Sequence, residues 1–142
     1  MGGREPRRGR PELTPDRLSP AAGGGAPATG RHWAEELAER ALAAKGYAVL
    51  RRNYRLRGGE IDLVCRAPEG TVVFVEVRQR RAAGFGGAAE SLSAAKLGRL
   101  RDAAAHFLAR ELGRPEASAR FDVVLVAGAG PGARLTHLED AF

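Results

Sequence analysis

The chain has 142 residues, 44% hydrophobic and 28% charged, enough to build one core but short of two domains. A net charge of +6 and a pI of about 10.6 direct attention to a polyanionic partner. Nucleic acid comes first, while association with the ribosome or an anionic membrane surface satisfies the same arithmetic. The single cysteine, Cys65, excludes an intramolecular disulfide and suits a reducing cytoplasm. No window approaches the roughly 18 consecutive apolar residues of a membrane span. The basic N-terminus lacks the apolar stretch of a secretory signal.

Residues 1–28 hold five of the eight Pro and six of the 19 Gly. Such a segment buries too little apolar surface to offset the entropy of ordering it, so a disordered Pro/Gly/Arg-rich extension is expected there. Its Arg7-Arg8-Gly9-Arg10 run is able to touch phosphates, or is simply a solvated tail. Of the net charge, +2 falls in the first 30 residues and +4 in the remainder, so the excess is not confined to the extension. The folded domain is expected over 29–142, with Thr29 as the N-cap.

A helix is predicted over 31–45, where Trp33, Leu37, Ala41 and Ala44 recur at helical spacing and Glu36 and Arg40 pair on the wetter side. Gly46 ends it. A strand over 47–56 follows, with Asn53 and several Arg facing outward, and Arg57-Gly58-Gly59 makes a hairpin turn. Strands over 60–66 and 71–79 are separated by the turn Ala67-Pro68-Glu69-Gly70. A loop over 80–90 contains Gly84-Phe85-Gly86-Gly87, whose spacing is not a dinucleotide fingerprint. It is either a plain connection or a loop that closes over a nucleic-acid backbone.

Ser91 or Ser93 caps a second helix reaching about residue 112, with Leu97, Leu100, Ala104, Phe107 and Leu108 as its core stripe. Its opposite side shows Lys96, Arg99, His106 and Arg110, and Gly113 and Pro115 close it. A strand over 121–127 and a weaker one over 135–138 complete the chain. The order α-β-β-β-α-β describes a mixed α/β domain, a three-strand meander followed by a helical crossover. The strand over 71–79 is apolar on both sides, as a central strand covered by helices must be.

Two acids interrupt these apolar strands: Asp62 in Glu60-Ile61-Asp62-Leu63-Val64 and Glu76 in Phe74-Val75-Glu76-Val77-Arg78. A buried carboxylate is costly unless it meets a partner or a metal ion. Asp on one strand with Glu-x-basic on the next is the metal-binding pattern of a nuclease. Hydrolysis of a phosphodiester uses a divalent cation to activate water and neutralise developing charge. Side-chain alternation puts Glu76 and Arg78 on one face. The competing reading is a cross-strand ion pair among Asp62, Glu60, Glu76 and Arg78. A central strand is a poor place for a purely structural acid. Cys65, on the same strand as Asp62, reads as a small core residue.

The motifs Gly59-Glu60-Ile61-Asp62-Leu63, Phe74-Val75-Glu76-Val77-Arg78-x-Arg80 and Arg120-Phe121-Asp122-Val123-Val124 resemble the YraN-like family of small bacterial proteins. Arg52-Asn53-Tyr54-Arg55, and Gly86-Gly87 followed by Lys96, extend the likeness over 29–142. That family is similar to the restriction-endonuclease-like superfamily with its PD-(D/E)xK core, and to archaeal Holliday-junction resolvases in particular. The resemblance implies a restriction-endonuclease-like α-β-β-β-α-β core with a mixed central sheet flanked by helices. It implies Mg²⁺ or Mn²⁺ held by Asp62, Glu76 and the carbonyl of Val77, with Glu35 of the first helix turned toward the metal and Glu36 its rival for that role.

Arg78 stands where the superfamily has Lys. Arginine reaches phosphate bidentately but does not transfer protons at neutral pH. Lys96 either supplies the missing amine or is a DNA-facing surface lysine. The implied function is metal-dependent phosphodiester hydrolysis in DNA, branched or structured DNA included. The alternative is a non-catalytic or weakly catalytic nucleic-acid-binding module that keeps the nuclease fold. Arg52, Arg55, Arg78, Arg80, Arg81, Lys96 and Arg99 are expected to hold phosphates. The expected location is the cytoplasm, with no membrane partner and with homodimerisation left open.

Overall fold

A computed structural model describes residues 30–80 and 93–142 of the chain. The expected extension over 1–28, most of the loop over 80–90, Arg81 and the cap at Ser91 lie outside the described residues. Helix α1 (Gly30–Ala44) stops where Gly46 takes φ 91°, its N–H donating to Ala43 O at 2.9 Å while the Tyr47 N–H reaches Leu42 O at 3.1 Å. Strands β1 (Ala48–Leu56), β2 (Gly59–Arg66) and β3 (Val72–Arg80) form the expected meander. Helix α2 (Ala94–His106) is capped by Ser93, whose Oγ accepts from the Lys96 N–H at 3.1 Å, and runs on as one π-helical turn, Phe107–Glu111. Strands β4 (Ala119–Ala127) and β5 (Arg134–Leu138) close the chain.

The five strands lie in the order β1-β2-β3-β4-β5, every neighbour antiparallel except β3 and β4, which run parallel. Parallel neighbours need a crossover, and α2 supplies it. The result is a mixed sheet flanked by two helices, with β3 at its centre, consistent with the α-β-β-β-α-β order read from the sequence.

Two apolar layers result. On one side Ala34, Ala38 and Leu42 of α1 cover Leu63, Cys65, Val73, Val75, Val77, Val124 and Val126. On the other, Leu100, Ala103, Phe107 and Leu108 cover Leu50, Tyr54, Ile61, Val64 and Phe74, with the Phe74 and Phe107 rings edge-on at 6.0 Å. The α1 stripe expected at Trp33, Leu37, Ala41 and Ala44 is therefore corrected by one position. Trp33 and Leu37 flank the contact half-buried, and Ala44 is exposed. Small side chains at Ala34 and Ala38 let the helix lie close to the sheet, and that close approach decides which face turns inward. Leu97 likewise gives way to Ala103 in the α2 layer.

Residues two apart on a strand normally share a face. Leu63 lies in the α1 layer, yet Ile61 lies in the α2 layer. On β1, Arg52 reaches Glu39 of α1, yet Tyr54 lies in the α2 layer. Both strands change face between the pairs Arg52↔Leu63 and Tyr54↔Ile61, which leaves Asn53 and Asp62 across from each other at the change. Asn53 takes φ 48° there, a left-handed conformation that Asn tolerates better than most residues.

Candidate metal and nucleic-acid site

The ladder between β2 and β3 pairs Arg66↔Val72 through Leu63↔Val75. One step further, Asp62 Oδ2 accepts the hydrogen bond of the Val77 N–H at 2.8 Å, so a side chain takes up a donor on the neighbouring central strand. Asp62 is 1% exposed. That bond places its carboxylate beside the peptide joining Glu76 to Val77. Val75 and Val77 belong to the α1 layer, so alternation turns Glu76 and Arg78 toward α2.

Glu76 is 8% exposed and meets two cations: Arg78 Nε lies 3.5 Å and Lys96 Nζ 3.6 Å from its Oε2. Arg78 Nε is buried and makes no hydrogen bond among the described residues. An N–H left so is costly, and the oxygen of a ligand or water would satisfy it. The third acid comes from α1. Glu35 is 9% exposed and its Oε1 accepts from Asn53 Nδ2 at 3.3 Å, reaching β1 at the residue across from Asp62. Glu36 is exposed, so α1 turns Glu35 inward and Glu36 toward solvent.

Among the described residues no three His, Cys, Asp or Glu side chains gather as a metal-ligand cluster. The chemistry of the donor set nevertheless fits a hard divalent cation. Asp62 and Glu76 are buried carboxylates near one peptide unit, and magnesium is content with one or two carboxylates, a carbonyl oxygen such as that of Val77, and retained waters.

The cations are held in different ways. Arg52 is committed to Glu39, with Nε–Oε1 at 2.9 Å and Nη2–Oε2 at 2.6 Å, a bidentate pair on the α1 side. Arg78 and Lys96 stand at Glu76. Arg99 Nε donates to Gly58 O at 3.0 Å and pins the β1–β2 hairpin against α2. Gly59 permits this approach: a Cβ there would stand 2.8 Å from the Arg99 carbonyl oxygen. Arg55 is largely exposed, 3.6 Å from Glu60. Arg57, exposed at the hairpin tip, joins this surface although its sequence context marks only a turn. Arg80 ends β3, and its side chain lies outside the described residues.

A second polar centre went unread as such in the sequence. Asp122 is fully buried, and its carboxylate accepts from Arg120 Nε at 3.0 Å, Arg120 Nη2 at 3.2 Å, His137 Nε2 at 2.8 Å and the Asp140 N–H at 2.9 Å. Arg120 also donates to Tyr47 Oη at 2.7 Å, and Lys45 Nζ lies 2.8 Å from His137 Nδ1. The ammonium donates to Nδ1, which leaves Nε2–H for Asp122 and sets the tautomer of a neutral ring. The Asp122 pairing holds the Arg120 guanidinium protonated well beyond the ordinary range. The alternation Arg120-Phe121-Asp122 in an apolar strand was the available signal; its partners, 15 or more residues away, were not.

Fold and site together define a mixed α/β domain that carries two strand-borne carboxylates at the end of a central ladder. Residues 34–126 match the uncharacterised protein family UPF0102, and the chain belongs to that family. A UPF0102 protein of Cupriavidus necator is 53% identical over 109 residues, 77% of this chain and 79% of its own length. Another, from Deinococcus radiodurans, is 47% identical over 95 residues, 67% of this chain and 77% of its own. One from Burkholderia pseudomallei is 46% identical over 137 residues, 96% and 90% of the two chains. No helix among the described residues is long and apolar enough to cross a membrane.

Proposed function

We propose that the protein is a metal-dependent endonuclease of the restriction-endonuclease-like superfamily, acting on DNA, branched or structured forms included, in the cytoplasm. The observation that carries the reading is the Asp62–Val77 hydrogen bond, which sets a buried carboxylate beside the Glu76 peptide at the end of the β2–β3 ladder. Asp62, Glu76 and the Val77 carbonyl would hold Mg²⁺ or Mn²⁺. The bound cation supplies an activated water and neutralises charge on the scissile phosphate. Arg78 donates to a non-bridging phosphate oxygen, and its buried Nε, without a hydrogen bond among the described residues, supports that role. Glu35 and Asn53 hold the β1 side of the site. Arg55, Arg57 and Arg99 bind the backbone away from the reacting phosphate through contacts indifferent to sequence.

A second reading is a nucleic-acid-binding module that keeps the nuclease fold and turns over slowly or not at all. Arg78 favours it, since a guanidinium does not exchange protons at neutral pH. Cleavage of linear, flapped and four-way-junction DNA with Mg²⁺ or Mn²⁺, beside an Asp62→Ala control, separates the two. Metal-dependent products that vanish in Asp62→Ala establish the nuclease. Salt-sensitive binding without cleavage on any substrate leaves the binding module. Cleavage that survives in Asp62→Ala sinks the site assignment.

A further inference from the structure

Glu76 Oε2 faces two cations held in different ways. Arg78 stands two residues along the same strand, 26% exposed, with a buried Nε. Lys96 comes from α2 on a flexible four-carbon stem, 39% exposed, with its backbone fixed by the Ser93 cap. At 3.6 Å the Lys96 ammonium lies beyond good hydrogen-bond distance, so its hold on Glu76 is loose. The backbone of Lys96 is therefore anchored while its charge is able to move. Two positive groups cannot share one carboxylate without repelling each other, and a released ammonium is a ready donor to phosphate.

Resting on the metal site proposed above, we infer that Lys96 couples the binding of the divalent cation to the binding of the polyanion. The ammonium stays on Glu76 while the carboxylate holds no metal. It swings to a substrate phosphate when one arrives, taking one positive charge away from Glu76 and so favouring the cation there. Displacement by the cation likewise frees Lys96 for phosphate. Each ligand then raises the affinity for the other by the same factor, as linkage requires. This makes Lys96 a positioning residue that resists metal loading in the absence of nucleic acid.

The test is Mn²⁺ binding, followed by the electron paramagnetic resonance of the free ion, with and without a short DNA duplex of hydrolysis-resistant phosphorothioate linkages. The duplex alone provides the baseline. In the unaltered chain the duplex should tighten Mn²⁺ binding by roughly 5- to 150-fold, the usual span of such coupling. Lys96→Gln should bind Mn²⁺ more tightly than the unaltered chain without the duplex, and should lose most of the tightening with it. Lys96→Arg keeps the charge and should retain the coupling. The inference falls if Lys96→Gln shows the same coupling as the unaltered chain, or if its Mn²⁺ affinity without the duplex does not rise. Mn²⁺ binding abolished by Asp62→Asn, with coupling indifferent to Lys96, would leave the metal site standing and overturn the inference alone. An unaltered chain that binds no Mn²⁺ overturns both.

Discussion

Asp62 and Val77, fifteen residues apart, are joined by a 2.8 Å hydrogen bond from the backbone N–H of one central strand to a carboxylate of its neighbour. The bond satisfies a buried donor next to the last paired rung and sets the carboxylate beside Glu76. One side chain thus serves both the fold and the proposed chemistry. Asp62→Asn separates these duties, because the amide oxygen still accepts from Val77 while the charge is gone. Its thermal transition should stay within about 1 kcal/mol of the unaltered chain, the scale of one hydrogen bond. Its Mn²⁺ binding and any cleavage should disappear. A folded Asp62→Asn chain that binds Mn²⁺ normally would remove Asp62 from the site.

Arg52 and Arg55 should respond differently to alanine. Arg52 is clamped bidentately by Glu39, so Arg52→Ala should lower stability in a urea titration and leave the salt dependence of DNA binding nearly unchanged. Arg55→Ala and Arg57→Ala, at exposed positions, should leave stability alone. Each should remove about 0.9 from the slope of log affinity against log salt for duplex DNA. Equal slopes in all three variants would overturn the division between structural and phosphate-binding arginines.

Asp122→Ala should be far more damaging than any surface change. It removes the buried counter-charge of Arg120, whose remaining carboxylates Glu69 and Glu139 stand 3.7 Å away, and leaves the His137 and Asp140 donors unmet in a buried setting. Breaking a buried ion pair from one side costs about 3–5 kcal/mol. A midpoint shift in urea corresponding to less than about 1 kcal/mol would mean that water replaces the carboxylate without loss.

Burial pushes the Cys65 thiol from 9.0 up to about 12, with the nearby charges of Glu39 and Asp122 adding to the effect. The raised value means that the folded chain favours the neutral thiol. Its contribution to stability is complete below pH 9 and is lost as pH climbs toward 12. Burial also raises the hydroxyls of Tyr47 and Tyr54, which act in the same direction. Native protein at pH 8 should therefore resist alkylation at Cys65, and urea should expose the thiol. Rapid labelling without denaturant would show that β2 opens locally.

Sequence alone determined the elements and the fold class, because side-chain periodicity and turn chemistry are local. Apolar runs bounded by turn residues marked β2, β3 and β4, Gly46 and the Ser91 or Ser93 choice marked helix ends, and unbroken apolar character placed β3 at the centre of the sheet. The acids Asp62 and Glu76 stood out for the same reason, as carboxylates in strands that otherwise bury everything. Tertiary structure decided what local pattern leaves degenerate. Neighbouring Glu35 and Glu36 look alike in the chain, and only the approach of α1 through Ala34 and Ala38 turns Glu35 toward Asn53. Arg52 and Arg55 are equally basic, and only the position of Glu39 commits one of them. Asp122 meets His137 because β4 and β5 pair in one register, with Val124 opposite His137. The energy of a charge depends on what stands within a few ångströms of it, and the folded path of the chain, not its order, sets those distances.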